Sequence, residues 1–173
     1  MIMKKLLIVA IALAGAFIVL CAAVKPVAKK SPPTFEAAVQ LIKSFEGMHT
    51  PKNWPYVGYG HRVLSGEKYK KGVQLSEKQA DALLRKDFRK YCALYREFGA
   101  DSLLLGALAY NIGQGNVAKS SILKKLRSGN RDIEEVYIAH CRYRGKVNSQ
   151  IRRRRLAELE TLFVKDLRTI ARK

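Results

Sequence analysis

Apolar side chains recur at helical spacing from residue 35. Phe35, Val39, Ile42 and Phe45 share one face, widened by Ala38 and Leu41, and predict a helix that Gly47 closes as C-cap. From 48 to 75 that period disappears among Gly, Pro and Tyr, which predicts a small antiparallel sheet with loops. Ser76-Glu77-Lys78-Gln79 reads as a capping box that opens a second helix running to about Glu97. Asp101 or Ser102 caps a third, Leu103 to Ile112, apolar nearly all round and therefore expected at the centre of a helical bundle.

Ser120 or Ser121 starts a short helix that stops at Gly129-Asn130, and Asp132 begins another with Ile133, Val136, Tyr137 and His140 on one side. Ser149 is read as the cap of a last helix that reaches the C-terminus, with Ile151, Leu159, Leu162 and Phe163 facing inward. Neither an internal repeat nor a low-complexity tract interrupts this order. A helix, a small sheet and then several helices make an α+β domain with a cleft between two unequal lobes.

Ahead of the domain, Lys4 and Lys5 precede an uninterrupted apolar run from Leu6 to Val24. Residues 1–25 are expected to be a signal peptide or a signal-anchor segment, 26–33 a basic, proline-marked linker, and 34–173 the folded domain. Such a chain is exported to the periplasm or envelope, and the run sets whether it stays tethered.

The net charge is +19 over 173 residues, which favours a polyanionic partner. Nucleic acid is not expected, because the chain shows no zinc finger and no aromatic-basic RNA motif. An anionic envelope or membrane surface remains. Arg152 to Arg155 fill about one helical turn; Glu158 stands where it can pair with Arg154 or Arg155, leaving the others for such a surface. Of three cysteines, Cys21 falls inside the apolar run. Cys92 and Cys141 either pair in an oxidising compartment or stay as separate buried thiols, the latter being favoured. No metal or organic cofactor is implied.

Glu46 lies on the apolar face of the first helix, in its last turn. The helix dipole opposes a carboxylate there, and packing beside Phe45 removes water from it. Both effects favour the protonated acid, as general-acid catalysis requires. The competing reading is a solvated Glu that merely ends a helix. Just downstream stand Tyr56-Val57-Gly58-Tyr59-Gly60-His61. Phe45-Glu46-Gly47 followed by this Gly-x-Gly-His signature resembles the phage-type lysozyme family of glycoside hydrolases (endolysins, muramidases). The likeness continues through Leu75 to Asp87, Leu108 to Gly113, Ser121 to Leu126 with Gly129, and Arg154-Arg155-Leu156-Ala157-Glu158. Each motif alone is weak; their order is specific.

The resemblance implies a lysozyme-like fold and cleavage of the β-1,4 bond between N-acetylmuramic acid and N-acetylglucosamine in peptidoglycan strands, by a monomer with Glu46 as acid. It also exposes a departure. Counting back from His61, the family's second acidic position falls on Thr50 and its threonine on Tyr56. Three readings stay open. Water is held by Thr50, His49 or His61; or the sugar's own 6-hydroxyl attacks, as in a lytic transglycosylase; or the chain is a wall-binding module without activity. Trp54, Tyr59, His61 and Asn111 are the candidate substrate-binding residues. For His61 a structural hydrogen-bonding role is favoured, the aromatic rings equally suit packing, and Asn111 equally suits a tie between helices.

Overall fold

A computed structural model describes residues 31–167. The apolar run, the start of the linker, and Arg172 and Lys173 lie outside the described residues, as does any test of tethering. Among the described residues no helix is long and apolar enough to cross a membrane.

Helix α1 spans Phe35–Glu46, opened by Thr34, whose hydroxyl accepts the Ala37 N–H at 3.1 Å. Ala38, Val39 and Ile42 are its buried positions, as the stripe predicts. Gly47, at φ 67°, ends it in a conformation that a Cβ disfavours. The stretch that follows holds less sheet than its composition suggests. A 3₁₀ turn over Pro51–Asn53 leads into β1 (Tyr56–Val57) and β2 (His61–Arg62), antiparallel with Tyr56 opposite Arg62 and Val57 opposite His61. The rest of the lobe is turns.

Helix α2 (Glu77–Leu94) begins with the expected reciprocal cap: Ser76 Oγ accepts the Gln79 N–H at 3.3 Å, and Gln79 Oε1 accepts the Ser76 N–H at 2.9 Å. It stops short of Glu97 because the chain tightens into a 3₁₀ segment, Arg96–Asp101, with Gly99 at φ 57°. Helix α3 (Ser102–Ile112) is the central one: Leu104 to Ala109 are all buried. Its approach to α2 is closest at Gly106, where a Cβ would lie 2.8 Å from Cys92 Sγ and 3.2 Å from both the Cys92 backbone N and the Phe88 ring. Gly106→Val is therefore expected to lower the unfolding free energy by about 2–3 kcal/mol through overpacking, which outweighs a helix-propensity gain of about 0.4 kcal/mol. A urea midpoint equal to that of the wild type would refute the close packing.

Two elements were not foreseen. Helix α4 (Gln114–Lys119) is shorter than two turns and sits among glycines, too brief for a period to show. After α5 (Ser121–Arg127) and α6 (Glu134–Ile138), a hairpin of β3 (Arg142–Tyr143) and β4 (Lys146–Val147) turns through Arg144 at φ 50° and Gly145 at φ 78°. Helix α6 starts later than Asp132, whose N–H is taken by Asn130 Oδ1. Helix α7 (Ser149–Leu162) is capped by Asn148 rather than Ser149, and it ends at Leu162 with Phe163 and Val164 buried beyond it. It packs across α1, which brings the last helix to the end of the first.

Cys92 and Cys141 are free, so the disulfide reading is corrected in favour of separate thiols. Burial against α3 pushes the Cys92 thiol up to about 12.

Candidate active site

The crossing of α7 over α1 sets Arg154 against Glu46. Arg154 Nη1 donates to Glu46 Oε1 at 2.6 Å, with the two side chains 6% and 19% exposed. The same guanidinium lies over the Phe45 ring and donates through Nε to Glu158 Oε1 at 2.9 Å. Glu158 Oε2 in turn accepts from Arg155 Nη1 and, at 2.8 Å, from the Tyr137 hydroxyl. Arg155 also donates to Asn111 Oδ1 and to the His140 carbonyl. Glu46 is thus the outer end of a buried chain of alternating charges. The sequence offered it only the helix end and Phe45 as neighbours; the structure adds the Arg154 guanidinium.

The other carboxylate oxygen faces the sheet lobe. A Cβ at Gly60 would lie 3.3 Å from Glu46 Oε2, so a glycine at φ 93° lets the β1–β2 turn close over the acid. Gly60 also lines a cleft of about 840 Å³ between the lobes. Tyr56, His61, Arg62 and Leu64 form one wall; Lys90, Tyr91 and Leu94 on α2, Tyr110 on α3, and the Gly113–Gly115 turn form the other. The Tyr110 hydroxyl bridges the lobes, donating to the Tyr59 carbonyl at 2.7 Å, and burial drives its ionisation far upward.

His61 uses both ring nitrogens: Nδ1 with Asp87 Oδ2 at 2.5 Å and Nε2 with Glu67 Oε2 at 2.9 Å. The Asp87 bond raises its pKa against the lowering effect of burial, and the Glu67 bond adds to the rise. Glu67 is lowered, first by the Leu64 N–H and then by His61. The His61 contribution to stability is complete below its unfolded value of 6.5 and is lost as pH rises through the higher folded value. The Glu67 contribution is present above 4.5 and lost as pH falls through its lower folded value. The difference in melting temperature between the wild type and His61→Gln should therefore be largest near pH 5–6 and shrink toward pH 9. A difference that grows with pH would contradict a charged His61.

The structure thus lines one cleft with Tyr56, Gly60 and His61, sets Glu46 directly behind Gly60, and redirects other candidates. Thr50 is exposed, and its hydroxyl donates to Asn53 Oδ1 within the 3₁₀ turn. His49 Nδ1 bonds the Gly58 carbonyl at 3.1 Å. Trp54 is half-buried against the core. Tyr59 is not a cleft ring: it is buried and donates to Glu77 Oε2 at 2.5 Å. Asn111 ties α3 to α7 through Arg155. His61 fastens the sheet lobe to α2 rather than fixing Glu46. Sequence reasoning missed Arg154 as the partner of Glu46, since nothing local signals a contact 108 residues away. Among the described residues no group of three or more His, Cys, Asp or Glu is arranged to hold a metal.

The family model described as phage lysozyme matches residues 43–158. An endolysin of Bacillus phage B103 is 30% identical over 148 residues, an alignment covering 75% of this chain and 53% of that protein. The chain thus spans about half the length of that relative. Two solved structures share the fold. The muramidase domain of SpmX from Asticaccaulis excentricus aligns with a TM-score of 0.63 at 24% identity, over 74% of this chain and 95% of that one. The endolysin of the Escherichia coli phage FAHEc1 aligns at 0.62 and 23%, over 75% and 92%.

Proposed function

From a chain that belongs to the phage lysozyme family, we propose a peptidoglycan glycosidase that cleaves the β-1,4 bond between N-acetylmuramic acid and N-acetylglucosamine. The observation that carries this reading is the carboxylate of Glu46. It is mostly buried behind Gly60, a residue of the cleft wall, with one oxygen held by Arg154 and the other turned toward Gly60. A glycan strand laid in the cleft would present a glycosidic oxygen to that group. Glu46 donates a proton to it as the C1–O bond breaks, and positive charge spreads over C1 and the ring oxygen.

The attacking group follows from the acids that are absent. From Gly47 to Gly66 the chain holds no Asp or Glu, while Glu67 and Asp87, both on the cleft wall, are bound to His61. This favours a second reading of the same site, a lytic transglycosylase. The muramic acid 6-hydroxyl attacks C1, and Glu46, now a carboxylate, takes its proton. In the hydrolytic reading a water held by Tyr56 on the cleft wall attacks C1 instead, and Glu46, now a carboxylate, takes its proton. The enzyme works as a monomer in the periplasm or envelope, where its basic surface keeps it on an anionic layer and residues 6–24 decide whether it is tethered.

Dye release from covalently labelled sacculi tests the reading. The wild type is expected to solubilise the label and Glu46→Gln to leave it insoluble. Wild-type protein that sediments with sacculi yet releases nothing would make this a wall-binding module.

A further inference from the structure

From 136 to 157 the chain holds no Asp or Glu, yet seven Lys and Arg. Arg154 and Arg155 are spent inside, on Glu158. Arg142, Arg144, Lys146, Arg152 and Arg153 are exposed and have no carboxylate partner among the described residues. Three of them belong to the β3–β4 hairpin. All six hairpin residues are exposed, so neither face of the ribbon packs on the body. Its two apolar side chains, Tyr143 and Val147, are 59% and 58% exposed. They serve no core, and they lie outside the cleft, whose walls include no residue of this hairpin.

We propose that the β3–β4 hairpin docks the protein on an anionic lipid bilayer. The charge complements phosphate headgroups, and the two apolar side chains choose between polyanions. A soluble polymer or a glycan strand gives Tyr143 and Val147 little to enter. A bilayer offers an interface where a phenol ring sits at headgroup level and long cationic side chains reach phosphates above it. Arg144 already lies over the Tyr143 ring at 5.3 Å, the pairing that such an interface stabilises. At the base of the hairpin, a pocket of about 370 Å³ lined by Lys119, Ser120, His140 and Arg142 has donors for one headgroup phosphate. The inference is independent of the glycosidase reading, since it uses no residue of the cleft.

The test uses the full chain and reads the hairpin itself, because residues 6–24 would hold the protein on vesicles of any charge. Amide exchange over 142–147 is followed with phosphatidylglycerol-rich vesicles, with phosphatidylcholine vesicles, and with soluble poly(glycerol phosphate). Exchange is expected to slow at least about fivefold on the first alone, and high salt should restore it. Each cation contributes about fivefold in surface occupancy, so Arg144→Gln/Lys146→Gln should weaken docking roughly 25-fold. Tyr143→Ser/Val147→Ser should weaken it too, while leaving release from lipid-free sacculi and exchange within α3 unchanged. Equal protection on both vesicles, or none on either, overturns the proposal. So does protection by the soluble polymer that the serine variant retains.

Discussion

Glu158→Gln is expected to lower the unfolding free energy by about 3–5 kcal/mol, the largest stability loss of any single charge removal here. The side chain is 1% exposed and stands between two buried guanidinium groups, Arg155 at 0% and Arg154 at 6%. Gln keeps the volume and an acceptor, so what is lost is the negative charge that makes burial of two cations tolerable. Arg154 retains Glu46, whereas Arg155 is left with Asn111 and the His140 carbonyl, both neutral. The exposed neighbour variant Glu160→Gln should move stability by less than about 0.5 kcal/mol. Adding Arg155→Met to Glu158→Gln should recover part of the loss, because the stranded cation goes with it. Chemical denaturation decides the matter, and a single-variant loss under about 1 kcal/mol would show that the charge chain is not buried as described.

The second large effect is on chemistry. Glu46→Gln should reduce turnover by about 10²–10⁴-fold, the usual contribution of a positioned general acid. The loss should fall on kcat rather than KM, since the amide fills the same space behind Gly60. Arg154 keeps Glu158, so the variant should fold, with stability changed by no more than about 1–2 kcal/mol. Glu46→Asp separates the two roles of the side chain. It retains a negative charge for Arg154 but draws the proton donor back by one methylene, so activity should still drop at least about 10²-fold. An Asp variant with near wild-type turnover would mean that the charge beside Arg154 matters and the position of the acid does not.

The sequence announced much of this arrangement, because several of its signals are local. The stripe of α1, the Ser76 cap and the apolar α3 each state their structure within a few residues, and all three stand where the pattern puts them. The placing of Glu46 at the end of α1 beside Gly60 was legible, because the helix stripe and the following Gly-x-Gly-His segment point to the same place. What was hidden depends on contacts between distant segments. Arg154 reads locally as one of four adjacent arginines; only the return of α7 across α1 makes it the partner of Glu46. Tyr59 reads as a candidate sugar platform because Tyr alternates with Gly in a short strand region. Pairing with Glu77 across 18 residues turns it inward instead. The β3–β4 hairpin escaped notice because its turn uses Arg-Gly, a weaker hairpin signal than Asn-Gly, and its strands are two residues long.

The central claim is that Glu46 donates a proton to a glycosidic bond of peptidoglycan, and the chain ends of the products test it most directly. Purified sacculi would be digested with the wild type and with Glu46→Gln, and the soluble fragments separated and weighed by mass spectrometry. The account predicts new glycan ends from the wild type that are absent from the variant. Reducing muramic acid would mark attack by water; 1,6-anhydro muramic acid would mark attack by the sugar's own hydroxyl. Fragments whose glycan strands are intact and whose stem peptides are cut would contradict it, as would equal numbers of new glycan ends from both proteins.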